Sequence, residues 1–123
     1  MGLDMYATLY RGVDAEGIHT DIGDDEVAPL FQWRKHPNLH GWMEQLYRAK
    51  GGAGTEFNGN SVRLEPSDLD ALEKAVNAGT LPYTTGFFFG RSQPKHSQHD
   101  HDFLKLARSA IANGYAVFYS ASW

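Results

Sequence analysis

Hydrophobic and polar residues alternate from Leu3 to Arg11. Leu3, Met5, Ala7 and Leu9 fall on one side; Asp4, Tyr6, Thr8 and Tyr10 fall on the other. This period of two predicts a strand with one apolar and one Tyr-rich face. The period changes at Pro37. From there to about Lys50, Leu39, Trp42, Met43, Leu46 and Tyr47 follow the three-and-four spacing of a half-buried helix. Pro37 suits the first helical position, and Gly51-Gly52 supplies the stop. Ser61 to Glu65 alternates again, with Val62 and Leu64 on one face, as a short strand. Ser67 and Asp70 then form an imperfect capping box for a helix striped by Leu69, Leu72, Ala75 and Val76 and ended by Gly79. Phe103, Leu104, Ala107, Ala110 and Ile111 mark a last helix, stopped at Asn113-Gly114. Tyr115 to Tyr119 is a closing strand. Between these helices, Leu81 to Gly90 carries three consecutive phenylalanines, which reads as a central strand covered on both faces. The alternative is that Phe88 lines a pocket and stacks on a base. Together the pattern predicts one α+β domain over 1–123, a small mixed or antiparallel sheet of short strands packed by three helices.

Composition narrows the chemistry. A chain of 123 residues is one domain by length and can bury a real core. Without cysteine there is no disulfide, thiolate metal site or thiol nucleophile. A net charge of −4 argues against duplex nucleic acid as partner, which requires a basic face. No apolar run reaches transmembrane length, so a soluble, cytoplasmic protein is expected, with no membrane partner. The acidic run from Asp14 to Glu26 lacks the ligand spacing of a calcium loop. Gly51 to Thr55 lacks the Lys-Ser/Thr ending of a phosphate loop. His96, His99 and His101 lie in a polar loop and a helix entry without a second ligand cluster, which reads as a pH-sensitive surface. Neither a metal nor a cofactor is assigned.

The stretch from Trp33 to Trp42 gathers Arg34, Lys35, His36 and His40 with two indoles around one helix start. Cations there oppose the helix dipole by roughly 0.3–1 kcal/mol each. Gly41 inside the helix costs about 1 kcal/mol against alanine. Local rules broken together point to a function, and a helix start with basic neighbours suits an anion; the alternative is a solvated face of Arg34 and Lys35 with Trp33 and Trp42 simply core. The candidate ligand-binding set is Trp33, Arg34, Lys35, His36, His40, Trp42, Asn58, Thr85 and Phe88: cations for phosphate, aromatic rings for stacking, Asn58 and Thr85 for polar contacts. Gly41 predicts close approach by another segment or a ligand. No catalytic set is assigned.

Three blocks carry a resemblance over most of the chain: Met1-Gly2-Leu3-Asp4-Met5-Tyr6; Trp33-Arg34-Lys35 with Leu39-His40 and Trp42; and Leu81-Pro82 with Thr85-Gly86-Phe87-Phe88-Phe89-Gly90. In these the chain resembles a family of small phage and prophage proteins without a settled activity. Members are often loosely labelled phosphoglycerate kinase, a label this short chain does not support. The resemblance implies a phage accessory protein made in the bacterial cytoplasm. The leading expectation is sequestration of a small phosphorylated or nucleotide-like ligand, such as a host defence signal. The alternative is a protein–protein module that acts on a host or phage protein through Tyr6, Tyr10, Tyr83 and Trp123, with a homo-oligomer expected from the many aromatics. A third reading is a small hydrolase with His36 or His40 as general base, oriented by Asp4 or Glu44.

Overall fold

In the computed structural model of the chain, the described residues are 2–11, 26–54, 56–86 and 89–123. The acidic run before Glu26, Thr55, and Phe87 and Phe88 lie outside them. Strands β1 (Asp4–Arg11) and β2 (Glu26–Arg34) lead into helix α1 (Pro37–Ala49). Strand β3 (Ser61–Leu64), helices α2 (Pro66–Ala78) and α3 (Lys95–Ala112), and strand β4 (Tyr115–Ser122) follow. The sheet is antiparallel throughout, in the order β2-β1-β4-β3. The predicted α+β architecture with three helices is therefore what forms, and its sheet is antiparallel rather than mixed. Among the described residues, no helix is long and apolar enough to cross a membrane.

Alternation along the strands decides the core. Met5 and Ala7 of β1, Trp33 of β2, Val62 and Leu64 of β3, and Val117, Tyr119 and Ala121 of β4 join one buried cluster. Leu39 and Met43 of α1, Leu69 and Leu72 of α2, and Phe103 and Ala107 of α3 complete it. The opposite parity puts Asp4 of β1 against Arg34 of β2, and the two side chains form an ion pair of 3.2 Å.

The structure departs from the sequence expectations in four places. Strand β2 was hidden by Pro29, which an edge strand tolerates because its missing N–H faces away from the ladder. Its register with β1 slips there, so that Ala7 faces Phe31 while Thr8 faces Pro29. Helix α3 begins two turns before Phe103, so the helix entry lies earlier than expected and His96, His99 and His101 all belong to the helix. The expected phenylalanine strand is absent from the described part of 81–90: Pro82 and two glycines break it, and Phe89 turns inward against His40 and Trp123. Finally, the cap of α2 is Glu65 paired reciprocally with Asp68, two residues earlier than Ser67 and Asp70. Asp68 also holds Lys50 at 2.6 Å, which ties the end of α1 to the start of α2.

Gly41 is buried in α1 where Thr84 packs against it. A Cβ there would overlap Thr84 Oγ1 and lie 3.0 Å from Thr84 Cβ. Gly41→Ala gains about 1 kcal/mol of helix propensity. It must nevertheless push the 81–86 segment off the helix, an overpacking cost of about 1–3 kcal/mol. The expected outcome is a lower urea midpoint, largely restored in Gly41→Ala/Thr84→Ala. A Gly41→Ala protein as stable as the wild type would show that the segment does not rest on α1.

Candidate functional site

The turn from β2 into α1 builds the site. Trp33 ends the inward parity of β2. Lys35 takes a left-handed conformation (φ 53) while its N–H bonds Leu3 O, and this swings the chain into the helix. His36, the residue before Pro37, is the N-cap of α1, but its side chain does not cap the helix. It points away to two distant partners. His36 Nε2 lies 2.9 Å from Asp100 Oδ2, and Nδ1 lies 2.7 Å from Ser92 Oγ. Asp100 comes from the second turn of α3 and takes its other bond from Trp33 Nε1–H at 3.1 Å. Ser92, just ahead of α3, also accepts the Asn38 backbone N–H at 3.1 Å. The first turn of α1 has no acid of its own. A carboxylate from α3 therefore sits beside its positive end.

Hydrogen-bond logic orders the protons of a neutral His36 ring. Ionised Asp100 only accepts, so His36 Nε2 must carry a hydrogen. In the neutral ring Nδ1 is then an acceptor, and Ser92 donates its O–H to it. His36 is 3% exposed and Asp100 1%, so both are shielded from bulk water. The His96 ring stacks on His36 with centroids 4.3 Å apart and planes 7° apart, which fixes the imidazole tilt. Burial, then the nearby His36, hold the His96 pKa down to about 4, against the opposing pull of the Arg34 carbonyl and Asp100. Its Nδ1 accepts from the Gln93 N–H.

Two lobes of a cleft open beside this network. One, about 210 Å³, is lined by His36, Asn38, Leu81, Ser92, His96 and Asp100 among others. The second, about 340 Å³, is walled by Asn38, Tyr83, Thr84, Thr85, Arg91 and Ser92 among others. Asn38 and Ser92 belong to both, so they stand at the junction. Asn38 Oδ1 also accepts the Thr84 N–H at 3.1 Å, which holds the 81–86 segment at the cleft wall.

Of the residues singled out from sequence, His36 and Thr85 line the cleft, and Trp33 lies directly behind it on Asp100. Arg34, Lys35, His40, Trp42 and Asn58 line neither lobe. Arg34 is turned to the other sheet face, with Asp4. The Lys35 stem packs against Gly90. Asn58 bonds both backbone groups of Trp123 and secures the end of β4. His40 is buried between Phe57, Phe89 and Tyr119, with Nδ1 2.7 Å from the Tyr119 hydroxyl. Phe88 lies outside the described residues. Neither carboxylate proposed to orient a histidine does so: Asp4 pairs with Arg34, and Glu44 with Arg48.

Sequence reading missed Ser92, Asp100 and Arg91. One signal was present: His96, Asp100, Phe103, Leu104 and Ala107 follow helical spacing, so the buried stripe of α3 runs back through two polar residues. Polar residues in a buried stripe need partners, and these partners lie 64 and 67 positions away for Asp100. Among the described residues, no group of three or more His, Cys, Asp or Glu is arranged to hold a metal ion. No protein-family profile, curated protein or solved structure matches the chain.

Proposed function

We propose that the protein binds a small phosphorylated or nucleotide-like anion in the two-lobed cleft at the start of α1. The observation that carries this reading is the junction itself, where Asn38 and Ser92 separate a lobe holding Arg91 and two threonines from one holding two histidines. Arg91 is the one fixed cation among the residues lining the lobes, and a guanidinium fork suits phosphate or carboxylate. Tyr83, 85% exposed at the rim, offers the stacking surface that the sequence had suggested for Phe88. The second lobe, about 340 Å³, falls within the roughly 300–1,000 Å³ common for small-molecule sites, and the first, about 210 Å³, extends it. In the phage setting implied by the resemblance, the ligand would be a host signal and binding would be sequestration.

The test is a thermal-shift screen of nucleotides and cyclic dinucleotides. A ligand held at a hundred times its Kd adds about 2.7 kcal/mol to the folded state, a rise in Tm of several degrees. Arg91→Ala is expected to weaken that binding about tenfold, the loss of one charge-assisted contact of roughly 1.5 kcal/mol. No shift with any phosphorylated compound would remove the proposal. The protein-interaction reading and the expected homo-oligomer gain less: Tyr83 and Leu106 are the exposed large hydrophobics among the described residues, and Tyr83 belongs to the cleft.

A further inference from the structure

We propose that Ser92 is a nucleophile, with His36 as its base and Asp100 as the positioning residue behind it. The cleft would then hydrolyse a small ester that carries a carboxylate or phosphate group. This rests on the cleft reading above for where the substrate lies, but not on the identity of any tightly bound ligand.

The geometry has the parts of an activated serine. The Oγ–Nδ1 and Nε2–Oδ2 separations of 2.7 and 2.9 Å fall within the range required of a nucleophile and its base, and of a base and its orienter. Such sets are recognised by geometry and roles, whatever the order of residues in the chain. The imidazole is used the other way round from the usual serine hydrolase, with Nδ1 toward serine, but the proton path is the same. With a neutral imidazole the hydrogens run in one order: Ser92 O–H on His36 Nδ1, His36 Nε2–H on Asp100, Trp33 Nε1–H on Asp100. The stacked His96 leaves the ring little freedom to tilt. Ser92 is half-buried at the junction of the two lobes, so its oxygen meets whatever the cleft holds. The Asn38 N–H, at the positive end of α1, donates to that oxygen and would favour the alkoxide as its proton leaves for His36.

A simple tether would need less. Ser92 can pin its segment to α1 by accepting the Asn38 N–H alone, a remote version of a helix cap. That role does not call for a carboxylate buried behind the histidine, which costs several kcal/mol to desolvate. The carboxylate is what fixes the imidazole tautomer that lets Ser92 donate.

The reaction balances with water as the only co-reactant. Ser92 Oγ bonds the ester carbonyl carbon while its proton moves to His36 Nδ1 and the carbonyl π electrons move to oxygen. Collapse breaks the bond to the leaving oxygen, which takes the proton from Nδ1. A water then gives one proton to Nδ1 and bonds the acyl carbon. Ser92 Oγ departs with that proton, leaving acid and alcohol. Arg91, in the adjoining lobe, is placed to hold the anionic group of the acyl part.

The experiment treats the intact protein with a fluorophosphonate probe. Ser92 Oγ forms a bond to phosphorus, the P–F bond breaks, the proton passes to His36 and fluoride leaves. One adduct per chain is expected, mapped by mass spectrometry to the peptide holding Ser92 and absent in Ser92→Ala. Asp100→Asn keeps an acceptor for Trp33 but turns an N–H toward His36 Nε2, forcing the ring proton onto Nδ1. The fold should survive that change while labelling slows about 10³-fold or more, the signature of a wrong tautomer. p-Nitrophenyl hydrogen succinate should be hydrolysed with a lower KM than p-nitrophenyl acetate, and Arg91→Ala should raise the succinate KM toward that of the acetate. An unlabelled Ser92 in the wild type, or equal labelling of wild type and a folded Asp100→Asn, overturns the proposal. A ligand shift that persists without labelling leaves the binding site standing and removes only the nucleophile. Labelling without any ligand shift does the reverse.

Discussion

Asp100→Ala is expected to cost the fold roughly 3–5 kcal/mol, the usual penalty for removing one partner from a buried charged network. Two donors lose their acceptor at once. The Trp33 indole packs among Phe31, Phe103 and Tyr119, and its buried Nε1–H loses the carboxylate that receives it. His36, equally buried, is left with one satisfied nitrogen, and the positive end of α1 loses its neighbouring charge. Domains of this size have about 5–15 kcal/mol in total, so the variant should sit near the edge of folding. Asp100→Asn should behave differently in the same urea titration. Its carbonyl can still accept from Trp33, and its amide can donate to His36 once the ring changes tautomer, so a loss of about 1 kcal/mol is expected. Equal stability of the alanine variant and the wild type would mean that the network is not part of what holds α3 to the sheet.

That contrast also explains what could and could not be read from the chain. Apolar periodicity located β1, all three helices and the closing strand, because each buries one face and the spacing records which. Gly41 was legible for a related reason: a residue that weakens its own helix must be relieved of steric pressure, and Thr84 is what presses there. Partnerships between polar groups leave no such mark. Arg34 and Lys35 look like an anion site when only their neighbours in sequence are known. Strand parity decides otherwise, since a residue next to an inward Trp33 must point outward, and Asp4 waits on the adjoining strand. Charge that α1 lacks locally arrives from Asp100, and a cation for the cleft arrives as Arg91 from a stretch with no regular structure. The polar start of α3 resembled a solvated loop because hydropathy cannot separate a histidine facing water from one facing a carboxylate.

Acid should weaken the fold before its carboxylates titrate, and His40 supplies the reason. Burial lowers its pKa from 6.5 to about 4, with a bond to the Phe57 carbonyl opposing that shift. Burial also raises the Tyr119 pKa well above its usual value, so the phenol keeps its proton and donates it to His40 Nδ1. The imidazole is thus held neutral, with Nε2–H on Phe57 and Nδ1 filled. Protonating Nδ1 would set a second hydrogen against the phenol hydrogen, between the faces and edges of Phe57 and Phe89. In the unfolded chain the same histidine takes a proton near pH 6.5, so between that value and about 4 the unfolded state binds more protons. Stability is therefore complete above pH 6.5 and declines as pH falls through the window. At 1.36 kcal/mol per unit, the loss from His40 approaches 2 kcal/mol by pH 5 and about 3 kcal/mol by pH 4. His96, also held near 4, shifts in the same direction and adds to the slope. Urea unfolding at pH 7.5, 6.5, 5.5 and 5 reads the effect where Asp and Glu are still mostly ionised. His40→Gln should be less stable than the wild type at pH 7.5 yet lose less on acidification, with close to one proton fewer taken up on unfolding at pH 5. An unfolding free energy that stays level from pH 7.5 to 5 in the wild type would show that His40 is already free to charge inside the fold.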